Sequence, residues 1–349
     1  SPSSRICIGG TNAYTVAQGG GSSMVQLETA PLTFAELMQK EGSFMLPRRW
    51  FKHSHLKQRV RSSNAVVLVV GFDHIEESEA YDRPWALNAV DLKAIKTAVR
   101  LNKRTIVVVQ SGSAVEMESW QDGVAAILYT SFLGSSTAQA LKALLFGQVS
   151  PSGKLPFTQA RYLHEYRAMR SYPKNFDTVT INRIKKGQGD PKVREVQKLC
   201  YTEALMTGYR QFDTEGPEPL YCFGHGLSYG SFSYDLAGVK ELEEGRWDLA
   251  VTITDTGRCP AAEVVQLYVH PLDPVIFRPT QELKGFCKVF LQSRERKEVH
   301  FAVDETAFEH WDLDAWKFVS DEGQYELRIG SSSRDIRCRV VVDYKKRKP

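Results

Sequence analysis

The first half of the chain alternates short apolar runs with segments in which apolar residues recur every three or four positions. The runs at residues 65–70 and 105–109 are continuous and rich in β-branched residues, which is typical of parallel strands buried on both faces. A segment with helical spacing lies between them, and a third run at 125–129 precedes a helical pattern that stops before Gly147. This order predicts an α/β fold with an open, mostly parallel sheet and helices on both faces.

After about residue 230 the apolar period changes to two. Residues 247–254 alternate apolar and polar side chains, and so do residues 265–269 and 325–329. About seven such strands at short spacing predict an all-β sandwich of the fibronectin type III or immunoglobulin-like kind.

The change of period predicts two domains. We expect the α/β domain to occupy residues 1–222 and the sandwich to occupy residues 223–349. Residues 161–222 are irregular and linker-like, and the charged stretch at 183–192 predicts an exposed loop.

The charge balance excludes a nucleic-acid binder. The 45 Lys and Arg residues and 41 Asp and Glu residues give a net charge of +4, and the C-terminal run Lys345, Lys346, Arg347 and Lys348 supplies that excess. No basic stripe with interleaved aromatic residues is visible elsewhere. The longest apolar run, at residues 65–72, is far shorter than the roughly 18 residues of a membrane span, so the sequence also predicts no span.

Metal and cofactor motifs do not occur in the sequence. The six cysteines form no C-x-x-C pair, which predicts no structural zinc site, and we expect no cofactor. The chain opens at Ser1 without a methionine and continues directly into a strand-like segment, which indicates a processed or truncated product. The absence of Asn-x-Ser/Thr sequons leaves the compartment open.

An acid-rich segment follows the strand predicted at residues 65–70. Residues 73–83 read D-H-I-E-E-S-E-A-Y-D-R, and they lie where open α/β sheets place their ligand crevice. The segment has two interpretations: a functional site, or a charged surface loop or helix start in which acids suit the helix dipole.

Residues 71–83 resemble the G-x-D…E-x-E-G-x-D-R segment of glycoside hydrolase family 3, which contains β-glucosidases and β-xylosidases. The resemblance continues in order through P-S-G-K-L-P at 151–156, G-Y-R-Q-F-D at 208–213 and F-G-H-G-L-S-Y at 223–229. It extends to V-V-Q-L-Y-V, L-K-G-F and the G-Q-Y…G-S-S segment in the last ninety residues. Each motif is short, but their common order covers nearly the whole chain.

The resemblance implies an α/β sandwich domain followed by a fibronectin-type domain, in agreement with the periodicity. It also implies a retaining glycosidase mechanism, in which an Asp nucleophile works with a Glu general acid/base. By position that Glu is Glu79, with Glu77 as the fallback, and Asp82 and Arg83 correspond to substrate-binding positions. A crevice with apolar walls would favour the acid form of such a carboxyl.

Two departures from the family pattern concern the acid. Ala80 replaces the glycine that follows the family's Glu, which restricts the backbone there. Many members also carry a P-G-x-E-G segment after the fourth strand, whereas this chain has F-L-G-S-S-T at 132–137. Glu79 is therefore the family-matched candidate.

The family's nucleophile lies in a (β/α)8 barrel that normally precedes these domains, and no Ser-Asp-Trp motif occurs here. A barrel needs about 250 further residues. The resemblance thus implies the C-terminal portion of an enzyme that removes β-linked glucose or xylose from non-reducing ends. It implies a β-glycoside or oligosaccharide as substrate and a barrel as partner, and it favours a secreted or periplasmic location. The alternative is a non-catalytic module that binds carbohydrate or protein.

Overall fold

The chain folds into two compact units. The computed structural model describes residues 5–26, 29–79, 82–172 and 200–346. Of these, the first unit holds the residues up to Phe146, together with Arg161–Leu163, Tyr172 and Cys200, and the second unit holds the rest. The predicted exposed loop at 183–192 lies outside the described residues.

The first unit is an α/β structure. Its strands are β1 Ile6–Gly9, β2 Phe44–Met45, β3 Ala65–Gly71, β4 Thr105–Gln110 and β5 Ala126–Thr130. Its helices are α1 Phe34–Lys40, α2 Ser54–Ser62, α3 Ala89–Leu101 and α4 Thr137–Leu145. Short 3-10 turns occur at Thr11–Tyr14, Gly21–Ser23, Trp50–Lys52 and Gly134–Ser136.

The five strands form one parallel sheet in the order β2-β1-β3-β4-β5. The residues of β3 after Ala65 are all buried, because helices cover both faces of the sheet. Helices α1 and α4 contribute to a core with one face of β1, β3 and β4, whereas α3 packs on β3 and β4 without joining that core. The predicted α/β class and parallel sheet are confirmed.

Local chemistry at the helix starts explains where the helices begin. Thr33 and Glu36 form a reciprocal capping box at α1, with each side chain accepting the other's backbone N–H. Asn88 accepts from the amides of Val90 and Asp91 at the start of α3. The helix predicted before Gly147 ends at Leu145, and Gly147 has the left-handed φ of +69° that glycine tolerates.

The second unit is dominated by antiparallel strands. They are β6 Phe232–Glu243, β7 Arg246–Asp255, β8 Ala261–Pro271, β9 Glu282–Leu291, β10 Arg296–Val303, β11 Glu309–Asp312, β12 Lys317–Ser320, β13 Gly323–Gly330 and β14 Ile336–Tyr344. This unit also contains helix α5, Gly208–Thr214, and 3-10 turns at Arg167–Arg170 and Glu305–Ala307, and a further 3-10 turn, Leu163–Glu165, begins at the last residue of a first-unit segment.

These strands form a sandwich. One sheet has the order β10-β7-β6, the other has the order β14-β13-β8-β9, and β11 pairs with β12 in a separate hairpin. Strand β7 shows why: its residues alternate between buried and partly exposed, so one face of each sheet supplies the core between them. The predicted all-β sandwich is confirmed. Within the part of the chain that the structure describes, no helix combines the length and apolarity needed to cross a membrane.

Candidate functional site

The acid-rich segment lies where the order of the parallel strands reverses. The chain leaves β1 to form β2 on one side of it, and leaves β3 to form β4 on the other. Because all strands are parallel, the loops after β1 and β3 emerge at the same edge of the sheet and diverge. Open α/β sheets bind ligands in the crevice at such a point. We call residues 73–79 the acid loop and residues 19–23, which follow β1, the glycine turn.

The acid loop begins as a self-capped turn. Asp73 accepts hydrogen bonds from the amides of Ile75 at 2.8 Å and Glu76 at 2.9 Å. In turn, Glu76 Oε2 accepts a hydrogen bond from the Asp73 amide at 3.2 Å. This reciprocal arrangement satisfies the amides of the first turn, so both side chains serve the loop's own structure.

Glu77 is tied to the end of β4. Its Oε1 accepts from Ser111 Oγ and from the Gly112 amide, both at 3.0 Å. The Nε of Arg83 lies 3.5 Å from the same oxygen, and the side chains of Glu77 and Arg83 are only 13% and 15% exposed. The carboxylate of Glu77 therefore anchors the acid loop to the segment that follows β4.

Arg83 is likewise engaged by the chain itself. Its guanidinium carbon lies 4.4 Å from the centre of the Phe72 ring, a cation–π contact. One of its terminal nitrogens donates to Ser113 Oγ at 2.9 Å and to the Ala114 carbonyl oxygen at 2.5 Å. These contacts hold Arg83 against Phe72 and the segment that follows β4, and a role for Arg83 in substrate binding stays a prediction.

Asp82 is exposed and pairs with a tyrosine that sequence reasoning did not single out. Burial, followed by the charge and hydrogen bond of Asp82, raises the pKa of Tyr172. The Asp82 carboxylate thus holds the protonated phenol as its hydrogen-bond donor. Substrate binding by Asp82 also stays a prediction.

Glu79 differs from Glu77 in its surroundings. Its side chain is exposed, and Ser22 Oγ in the glycine turn donates to its Oε2 at 2.6 Å. The described residues place no hydrogen bond or ion pair on its Oε1. Among the described residues, no apolar walls enclose this carboxyl, since the Glu79 side chain is exposed to solvent.

The glycine turn was missed as a site element at the sequence level. The run G-G-G-S-S at 19–23 indicates only a tight turn when it is taken by itself. Its contact with Glu79 joins residues 57 positions apart in the chain. The useful signal is the position of the turn, after the strand that neighbours β3.

Among the described residues, no metal-binding cluster marks the acid loop. Within the described ranges, no group of three His, Cys, Asp or Glu residues is placed to hold a metal ion. Two shallow pockets of about 320 and 390 Å³ occur in the second unit, and the acid loop lines neither.

Comparison with known families covers most of the chain. Residues 1–229 match the glycosyl hydrolase family 3 C-terminal domain, and residues 263–333 match a fibronectin type III-like domain. An exo-α-(1→6)-L-arabinopyranosidase of Bifidobacterium breve is 31% identical over 350 residues, which is 97% of this chain and 44% of that protein. The thermostable β-glucosidase B of Acetivibrio thermocellus is 34% identical over 284 residues, which is 80% of this chain and 35% of that protein.

Solved structures agree with these matches. The family 3 β-glucosidase of Bifidobacterium adolescentis superposes with a TM-score of 0.87 at 29% identity and covers 98% of this chain. β-Glucosidase 3B of Thermotoga neapolitana, solved with glucose, gives 0.83 at 26% identity and covers 99%. This chain covers 49% and 51% of those two proteins, so it spans about half of their length. The chain belongs to glycosyl hydrolase family 3, with the family's C-terminal domain followed by a fibronectin type III-like domain.

Proposed function

We propose that the chain contributes the general acid/base, Glu79, to the active site of a retaining β-glycosidase. The observation that carries the proposal is the position of Glu79, exposed at the strand-order reversal with Oε1 open to a reactant. A retaining enzyme needs a second carboxylate about 5–5.5 Å away across the scissile bond. In this proposal the nucleophile comes from a (β/α)8 barrel, supplied by a further segment or a separate chain.

Glu79 suits this role better than Glu77. A general acid must reach the glycosidic oxygen with a free carboxyl oxygen. The Oε1 of Glu77 is engaged by a hydroxyl, an amide and a guanidinium, whereas the described residues make a single hydrogen bond to Glu79, on Oε2. Apolar walls that would favour the acid form of Glu79 would come from the barrel.

The substrate that we propose is a pyranoside with an equatorial glycosidic bond at a non-reducing end. β-Glucosides and β-xylosides have this bond, and so do α-L-arabinopyranosides, which differ at the 4-hydroxyl. The relatives named as β-glucosidases and as an arabinopyranosidase support this class. Glucose or xylose is the expected sugar, and a panel of the three nitrophenyl glycosides measures the preference.

The first test is the composition of natural material. Intact-mass analysis of the purified protein should reveal the barrel, either in the same polypeptide or as a co-purifying fragment. A chain that purifies alone and hydrolyses none of the three glycosides supports the rival function, a non-catalytic module that binds carbohydrate or protein.

The second test is Glu79→Gln in the complete, active protein. Hydrolysis of substrates with poor leaving groups should fall by about 10²–10⁴-fold, because protonation of the leaving oxygen is lost. Dinitrophenyl glycosides need little protonation and should cleave to the enzyme intermediate almost normally. Glu76→Gln removes the same charge from a capping position and is the matched control. Unchanged rates on both substrates in Glu79→Gln would remove Glu79 from the mechanism.

A further inference from the structure

The glycine turn and the acid loop approach as closely as two backbones can. The Gly20 amide donates to the Glu77 carbonyl oxygen at 3.0 Å. A β-carbon at Gly20 would lie 1.7 Å from the His74 carbonyl oxygen, and Gly21 has a φ of +61°, a conformation that favours glycine. A β-carbon at Gly21 would lie 3.2 Å from that of Glu79. The run of glycines therefore allows the turn to lie directly against the acid loop.

This contact places Ser22 beside the carboxyl group of Glu79. Ser22 lies in the 3-10 turn Gly21–Ser23, so its backbone is held by the same turn that contacts the loop. Its hydroxyl donates to Glu79 Oε2 at 2.6 Å, although both side chains are exposed. An exposed glutamate otherwise samples several rotamers. The Ser22 hydroxyl favours one of them.

We propose that Ser22 is a positioning residue that orients the Glu79 carboxyl and determines which of its oxygens carries the acid proton. This inference rests on the proposed role of Glu79. An oxygen that accepts from a hydroxyl acts as the carbonyl oxygen of a protonated carboxyl. With Ser22 on Oε2, the proton resides on Oε1, the oxygen to which the described residues make no hydrogen bond.

The two chemical steps then use one oxygen. In the first, the Oε1–H bond breaks as the leaving glycosidic oxygen takes the proton, and the anomeric carbon bonds to the nucleophile's carboxylate. Ser22 continues to donate to Oε2 of the resulting Glu79 carboxylate. In the second, Oε1 takes a proton from water, whose oxygen bonds to the anomeric carbon as the nucleophile leaves. Ser22 is needed in both steps without touching the substrate.

The experiment compares Ser22→Ala, Ser22→Thr and Ser23→Ala in the complete active protein. Ser23 is the matched control, because its hydroxyl donates to the Gly20 carbonyl oxygen within the turn and not to Glu79. Ser22→Ala should lower kcat about tenfold on poor leaving groups with KM nearly unchanged, and should steepen the dependence of rate on leaving-group acidity. Ser22→Thr should restore both, and Ser23→Ala should change neither.

The second readout is carbon-13 NMR of the same variants. In a sample with ¹³C-labelled glutamate, the carboxyl resonance that disappears in Glu79→Gln should shift in Ser22→Ala, return in Ser22→Thr and stay in place in Ser23→Ala. If Glu79→Gln abolishes acid catalysis but Ser22→Ala matches Ser23→Ala in both readouts, the positioning role is overturned and the proposed function stands. If the resonance responds to Ser22 but Glu79→Gln hydrolyses normally, the proposed function fails, and the role of Ser22 in catalysis fails with it.

Discussion

Substitution of Glu77 should reduce stability, whereas substitution of Glu79, two positions away, should reduce catalysis and leave stability nearly unchanged. Glu77→Ala leaves Ser111 Oγ, the Gly112 amide and the Arg83 guanidinium without their shared acceptor. Hydrogen bonds to a charged group contribute about 1.5–3 kcal/mol each. Because they share one oxygen and are not additive, we expect Glu77→Ala to lower the free energy of unfolding of the first unit by about 2–4 kcal/mol.

Glu79→Ala removes one hydrogen bond between two exposed side chains. Surface changes of this kind stay within about 0.5 kcal/mol. In the complete protein, however, Glu79→Ala should abolish acid catalysis. The acid loop would thus contain one carboxylate that maintains structure and another that performs chemistry.

Scanning calorimetry measures the difference directly. A unit of this size loses about 2–4 °C of Tm per kcal/mol. The transition of the first unit should therefore fall by roughly 4–16 °C in Glu77→Ala and by less than about 2 °C in Glu79→Ala. Fluorescence of Trp50 and Trp120, which are buried in the first unit, assigns that transition when it is recorded in a background in which the second unit's Trp247, Trp311 and Trp316 are replaced by Phe. Equal shifts in the two variants, or no shift in Glu77→Ala, would refute the division of roles.

Three other changes test contacts within one unit or the other. Lys154 and Glu263 form an ion pair at 2.8 Å, and their side chains are at most 13% exposed. Lys154→Met should therefore lower the free energy of unfolding, measured in urea, by about 3–5 kcal/mol, and adding Glu263→Leu should restore most of that free energy. The hydrogen bond to Asp248 raises the pKa of His300 above 6.5. NMR titration of the imidazole should show the raised pKa, and Asp248→Asn should lower it. The pair therefore stabilises the fold fully just below pH 6.5, and its contribution is lost as the pH rises through the raised pKa. Gly20→Ala should lower the Tm of the first unit and disturb the acid loop, because the new methyl carbon would lie 1.7 Å from a carbonyl oxygen.

The sequence predicted those elements whose apolar pattern is long enough to be unambiguous. Strands β3 and β4 have continuous buried runs, and β7 alternates with period two, so each was predicted with the right face or faces buried. Strand β2 has only two residues and carries no period. Helix α2 buries only Leu56 and Val60 in an otherwise polar segment, which leaves too weak an apolar face to detect. Helix α1 was also missed, although the capping-box sequence T-F-A-E at 33–36 marks its start.

The candidate site was predictable in place but not in detail. The rule for open α/β sheets located the acid loop at the ligand edge, because the rule depends only on strand order. Contacts with distant segments determine which carboxylates stabilise the loop and which stay exposed. Ser111 lies 34 positions from Glu77, and Ser22 lies 57 positions from Glu79. No local pattern contains such pairs, and the exposure of Glu79 follows from the same tertiary arrangement.

The way the glycine turn lies against the acid loop bears on how this region tolerates divergence. Its hydrogen bond from Gly20 joins main-chain atoms, so it constrains the path of the acid loop without prescribing most of its side chains. In a library that randomises both segments, we expect folded members to keep Gly20, Gly21 and Glu77 almost without exception, and to vary at the acid-loop positions whose side chains make no structural contact. The exposed side chains of the acid loop can then change while the main-chain contact beneath them stays unaltered.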